Sequence, residues 1–72
     1  MTVVKSEIAG SVWKIEVEVG QTVMAGQALV ILESMKMEIP IEAPAAGRVG
    51  EIMVAEGDPV AEDHPLLRLN AI

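Results

Sequence analysis

The chain repeats itself. Laying Ala9 on Ala46 sets an offset of 37 residues that runs without a gap from Ala9–Leu32 to Ala46–Leu69. Identical residues recur at Ala9/Ala46, Gly10/Gly47, Val12/Val49, Ile15/Ile52, Val17/Val54, Gly20/Gly57, Val23/Val60, Leu29/Leu66 and Leu32/Leu69, nine matches in twenty-four positions. Glycines and apolar residues supply almost all of them, which is the pattern of a duplicated fold and not of a shared composition. Two copies are too few for a solenoid, which needs about three or more. The repeat instead predicts one domain over residues 1–72, built of two halves related by a pseudo-two-fold. Under that symmetry the partner of Lys36 falls one position past the last residue. Lys36 is therefore expected at one end of the molecule and the chain termini at the other.

Size and composition narrow the functions open to such a chain. Its 72 residues allow one modest core and leave no room for a catalytic domain with a nucleotide pocket of its own. Without cysteine there is no disulfide framework and no thiol nucleophile, and a single histidine does not make an ordinary zinc cluster. Five basic residues, scattered under a net charge of −6, argue against a nucleic-acid partner. The acidity suits solubility and docking against basic surfaces. Residues 1–7 carry no long apolar run, so neither a signal peptide nor a membrane span is expected, and a cytoplasmic location follows by default.

The patterning is that of strands. From Trp13 to Val19 apolar Trp13, Ile15, Val17 and Val19 alternate with Lys14, Glu16 and Glu18, the period-two mark of a half-buried strand. For Trp13, which stands opposite Gly50 in the repeat, core packing is favoured over a partner contact, with partial exposure left open. Glycines at 10, 20, 26, 47 and 57, with Asp58-Pro59 and His64-Pro65, punctuate the runs. The paired glycines Gly10/Gly47 and Gly20/Gly57 read as equivalent turns with positive φ. Ala28–Leu32 is too short and too continuously apolar for an amphipathic helix and reads as a strand. Glu38–Glu42 alternates again but contains Pro40, which places it near a sheet edge. The expected architecture is all-β, a sandwich or flattened barrel. Between the last two strands either Met35-Lys36 or Lys36-Met37 must form a tight hairpin tip. Neither pair is the Asn-Gly or Gly-X that such turns prefer, so something other than folding has chosen these residues.

Glu33-Ser34-Met35-Lys36-Met37 resembles the attachment motif of biotin carboxyl carrier domains, the biotinyl side of the biotinyl/lipoyl attachment family. Gly20-Gln21-Thr22-Val23, Ala43-Pro44-Ala45-Ala46-Gly47 and Glu56-Gly57-Asp58-Pro59-Val60 are similar to the same family's pattern, and the resemblance runs from about Val3 to Leu69. It implies a hammerhead of two four-stranded antiparallel sheets with Lys36 on an exposed hairpin. The two halves align without a gap, so there is no room for the thumb that some carrier subunits insert in the first repeat. With Met1 read as an initiator, the chain resembles small stand-alone biotin/lipoyl attachment proteins, or a domain excised from the C-terminus of a larger acyl-CoA or pyruvate carboxylase.

The resemblance also implies a chemistry. A free lysine amine is almost wholly protonated at neutral pH, and the chain offers no base beside Lys36, so activation falls to an enzyme. A biotin protein ligase would join biotin to Lys36, and the cofactor would then serve a biotin carboxylase and a carboxyltransferase in turn. The carrier itself would be non-catalytic, supplying position by tethering. Recognition is expected to rest on Glu33, Ser34, Met35, Met37 and Glu38. Two methionines cannot both be buried at a tight tip without burying Lys36, and exposed they offer soft, adaptable contacts. Glu33, Glu38 and Glu42 also read as solvated strand residues. Lys5 and Lys14 lack the flanks and remain ordinary charges, and His64, before Pro65, reads as a solvated loop residue. Two other functions stay open: a lipoyl carrier of the 2-oxoacid dehydrogenase or glycine-cleavage kind, whose tips carry Asp-Lys-Ala or a similar flank, and an unmodified hammerhead acting as an interaction module.

Overall fold

The computed structural model describes residues 2–72; Met1, read above as an initiator, lies outside them. Eight strands follow in chain order: β1 (Thr2–Lys5), β2 (Gly10–Ile15), β3 (Thr22–Val23), β4 (Ala28–Ser34), β5 (Met37–Glu42), β6 (Gly47–Ile52), β7 (Pro59–Val60) and β8 (Pro65–Asn70). They form two antiparallel four-stranded sheets, one ordered β1-β8-β6-β3 and the other β5-β4-β2-β7. Adding 37 to a residue of one sheet gives its counterpart in the other, so the sequence repeat is also the symmetry of the fold. Each sheet takes two strands from each half. The halves therefore interlock, and neither can complete a sheet alone. The Thr2↔Leu69 pairing brings the two ends of the chain together at the place the symmetry relates to the β4–β5 hairpin.

The core is symmetric as well. Val12 and Val49, Val23 and Val60, Leu29 and Leu66, Val30 and Leu67, Leu32 and Leu69, and Val4 and Ile41 are all buried between the sheets. Each such side chain contributes on the order of 1.5–3 kcal/mol relative to leaving it in water. Two adjacent residues of one strand, Leu29-Val30 and likewise Leu66-Leu67, are buried together because both strands bulge. Opposite Ala28–Val30 the partner strand offers only Glu42 and Ile41, and opposite Pro65–Leu67 only Lys5 and Val4. The extra residue turns a second side chain inward. This is why the run Ala28–Leu32 carries no clean alternation.

A second pair of bulges overturns part of the sequence expectation. Opposite Leu32 and Ile31, strand β2 sets Val12 and Lys14, so Trp13 is an inserted residue; Gly50 is inserted in β6 in the same way. Past the bulge the phase changes and β2 ends at Ile15 instead of running on to Val19. Val17 is buried, but Val19 is 63% exposed and Trp13, expected in the core, is 46% exposed.

The glycine pairs divide by physical role. Gly20 and Gly57 do turn with positive φ, +92° and +95°. Each turn is closed from the side chain one residue on, Gln21 accepting from the Glu18 amide and Asp58 from the Ala55 amide. Gly10 and Gly47 are not turns. They open β2 and β6, where a Cβ would lie 2.5 Å from the Glu33 carbonyl oxygen and 2.8 Å from that of Asn70. They are small because a neighbouring backbone approaches, not because φ is positive.

Leu29→Ala is expected to cost about 2–5 kcal/mol in urea unfolding, since it empties a fully buried site. A cost under about 1 kcal/mol would mean that the bulge does not seat Leu29 in the core.

Candidate functional site

The β4–β5 hairpin gathers every residue of the motif. Its last paired residues are Ser34 and Met37, which leaves Met35 and Lys36 as a two-residue turn and decides between the two tips open from sequence. Both turn residues have positive φ, 53° and 66°, the signature of a type I′ hairpin turn. That conformation suits the right-handed twist of the strands but disfavours side chains with a Cβ, at on the order of 1–3 kcal/mol for each residue held there. The strain is stored at the one place where the sequence places a lysine between two methionines.

Exposure at the tip is nearly complete. Met35 is 92% and Met37 64% exposed, Lys36 and both flanking glutamates are exposed, and only Ser34 is partly covered. Among the described residues the one ion pair is Arg68–Glu51, 3.2 Å apart on the other sheet, so the Lys36 ammonium is not held by Glu33, Glu38 or Glu42. Glu33 and Glu38 face each other directly across β4 and β5. Like charges opposed in this way destabilise a sheet slightly. The pair thus adds a second cost beside the strained turn and gives the tip an acidic collar.

One supporting residue escaped the sequence reading. Gly10 lets β2 press against β4 immediately below the turn, where a Cβ would meet the Glu33 carbonyl and, at 3.3 Å, the Ser34 side chain. The duplicated Gly10/Gly47 pair signalled a constraint, but not its kind. His64 is exposed in its loop, as expected, and lies in another part of the fold. No cavity opens among the described residues, and no cluster of three metal-ligating side chains forms. No helix is long and apolar enough to cross a membrane. The site is a protrusion that offers one primary amine, free to enter the cleft of another protein.

The biotin/lipoyl family model, described as biotin-requiring enzyme, matches residues 2–69. The biotin/lipoyl attachment protein of Bacillus subtilis (strain 168) is 48% identical over 67 residues, 93% of this chain and 92% of that protein. Pyruvate carboxylase of Staphylococcus aureus is 41% identical over 64 residues, 89% of this chain but only 6% of the carboxylase. Among solved structures, the urea carboxylase of Kluyveromyces lactis superposes with a TM-score of 0.91 at 32% identity, covering 96% of this chain and 6% of that one. A single-chain, multi-domain long-chain acyl-CoA carboxylase superposes with a TM-score of 0.87 at 35% identity, covering 92% and 7%. The chain is thus nearly the length of one relative and a small part of the others.

Replacing Met35-Lys36 by Asn-Gly is expected to raise stability by about 1–2 kcal/mol, because those residues accept positive φ. Unchanged or lower stability in urea unfolding would show that the native turn is not strained.

Proposed function

This chain belongs to the biotin/lipoyl attachment family, and from that premise we propose that it is a biotin carboxyl carrier, modified on Lys36. The observation that carries the reading is the strained, exposed turn that presents Lys36 between Met35 and Met37. Relatives named biotin carboxyl carrier protein of acetyl-CoA carboxylase support it, among them that of Haemophilus influenzae, 51% identical over 51 residues.

The residues present fit the cofactor. A covalent tether needs a nucleophile that can leave its own protein's surface, and Lys36 is unpaired at the end of a rigid hairpin. In a biotin protein ligase its Nζ, once deprotonated, attacks the acyl carbon of biotinyl adenylate. A C–N amide bond forms, the acyl–phosphate bond breaks, AMP leaves with the electron pair, and the second N–H proton passes to solvent. When attached, biotin supplies a ring that accepts a carboxyl group at one active site and gives it up at another. The hairpin's part is to hold the anchor point rigid while the arm beyond it swings between a biotin carboxylase and a carboxyltransferase. Confining the arm to a small volume raises its concentration at each site without new contacts. Glu33, Ser34, Met35, Met37 and Glu38 flank the anchor and are the residues a partner meets first. In this reading the carrier contributes no catalytic group.

Incubation with a biotin protein ligase, biotin and ATP is expected to add one biotinyl amide, mapped to Lys36 by peptide mass. Lys36→Arg should abolish the gain and leave stability within about 0.5 kcal/mol, as for other exposed surface substitutions. Retained biotin on Lys36→Arg would sink the assignment. A gain only with a lipoate ligase would make the chain a lipoyl carrier, and no gain with either would leave an unmodified interaction module.

A further inference from the structure

The pseudo-two-fold is obeyed by the backbone and the core but broken on the two outer faces. On the sheet that carries Lys36, Ile31 of β4 lies between Lys14 of β2 and Pro40 of β5, and the β2 bulge adds Trp13 beside Lys14. Burial alternates accordingly, with Val12 inside and Trp13, Lys14 and Pro40 outside. Trp13, Ile31 and Pro40 are thus the apolar residues of this outer face, a stripe across three strands in which Lys14 stands directly beside Ile31. The related positions on the other sheet are Gly50, Arg68 and Val3, and there Arg68 is paired with Glu51. The same backbone carries Trp13, Ile31 and Pro40 around Lys14 on one side, and the Arg68–Glu51 ion pair beside Val3 on the other. Folding demands neither, since both faces point to water.

We propose that the Trp13–Ile31–Pro40 stripe is a docking surface for the ligase that modifies Lys36, and that Trp13 is its anchor. The inference rests on the carrier reading above. Three observations select this occupant. The stripe is continuous with the reactive hairpin: Ile31 and Ser34 are three residues apart on β4, roughly 10 Å at the usual strand rise. A standard interface covers about 800 Å² on each partner, a disc of roughly 16 Å radius, against 4308 Å² of surface on the whole chain. A partner centred on the tip therefore reaches the stripe on that sheet. Second, the stripe lies between acidic residues, Glu33 and Glu38 on the tip side and Glu42 on the other, with Lys14 the one cation beside Ile31, so its rim complements an apolar groove with a mainly basic rim. Third, a ligase must bring its activated acyl carbon to within one lysine side chain of this backbone. An enzyme that handles the far end of a long arm has no such need. The protein that reads the strands beside the tip is the one that acts before the arm exists.

Exposed tryptophans are unusual and are the side chains most enriched among dominant interface contacts. With unmodified carrier as the varied substrate of a biotin protein ligase, Trp13→Ser is expected to raise KM about tenfold and leave kcat within about twofold. Trp13→Phe, which keeps a ring, should recover most of the loss. Arg68→Ala, at the symmetry-related face, should leave KM unchanged. Thermal unfolding of each variant checks the fold. Trp13 is the only aromatic residue, so the carrier labelled with fluorotryptophan gives one fluorine resonance, which should shift on adding unlabelled ligase. The proposal fails if Trp13→Ser stays within twofold of wild type in KM, if Arg68→Ala is equally impaired, or if the resonance does not move at saturating ligase. Self-association of the wild type that is lost in Trp13→Ser, seen by sedimentation equilibrium, would make the stripe a contact between copies and also overturn it. Modification of the wild type on Lys36 tests the carrier reading separately from these comparisons.

Discussion

Everything in this molecule depends on the exchange of strands between its halves. The strands β1 and β3 of the first half find partners only on β8 and β6 of the second, and β5 and β7 only on β4 and β2. Within one half only β2–β4 or β6–β8 can pair, so neither half can complete its backbone hydrogen bonds alone and the two sheets depend on one another. The buried pairs Leu29/Leu66 and Val12/Val49 lie between sheets that each contain both halves, so side-chain burial and backbone pairing reinforce one another. A chain of 72 residues is near the lower limit for a core without disulfides or metal. Interlocking makes that small core cooperative.

Rigidity at the base is what allows strain at the tip. Two non-glycine residues with consecutive positive φ, and two glutamates opposed just below them, would destabilise an isolated hairpin, which is marginal at best in water. Here β4 is an inner strand, paired with β5 on one side and β2 on the other, and Gly10 brings β2 close beneath the turn. The sandwich over-determines the hairpin, so the turn residues are free to be chosen for something other than turn propensity.

What could be read from the sequence follows from which constraints are local. The pseudo-two-fold, the strand character, the edge position of the Pro40 strand and the hairpin carrying Lys36 all rest on repeats or short-range patterns, and each appears in the structure. The Gly20 and Gly57 turns were legible for the same reason: positive φ is a property of one residue. Gly10 and Gly47 were misread because their constraint is the approach of another strand, which no local pattern records. For Trp13 the sequence favours core packing and leaves partial exposure open; it is the exposed alternative that the structure takes, because alternation assumes an unbroken pleat and a bulge resets the phase. The comparison of Trp13 with Gly50 in the repeat held a clue, since core positions otherwise match in kind: Val12 with Val49, Ile15 with Ile52. A position free to be tryptophan in one half and glycine in the other is not a core position.

That argument reaches beyond Trp13. In a duplicated fold the two halves begin with the same structural demands, so apolar pairs kept alike between the sheets report folding and unlike pairs on the outer faces are released from it, whereas Ser6/Ala43 is an unlike pair that is still buried. Val4/Ile41 and Leu32/Leu69 belong to the first kind and are buried. Trp13/Gly50, Ile31/Arg68 and Pro40/Val3 belong to the second and lie on the outer faces. Lys36 lies in the turn between β4 and β5, outside the stretch that the repeat aligns. Divergence between the copies therefore marks, within a single chain, outer-face positions that packing of the core does not fix.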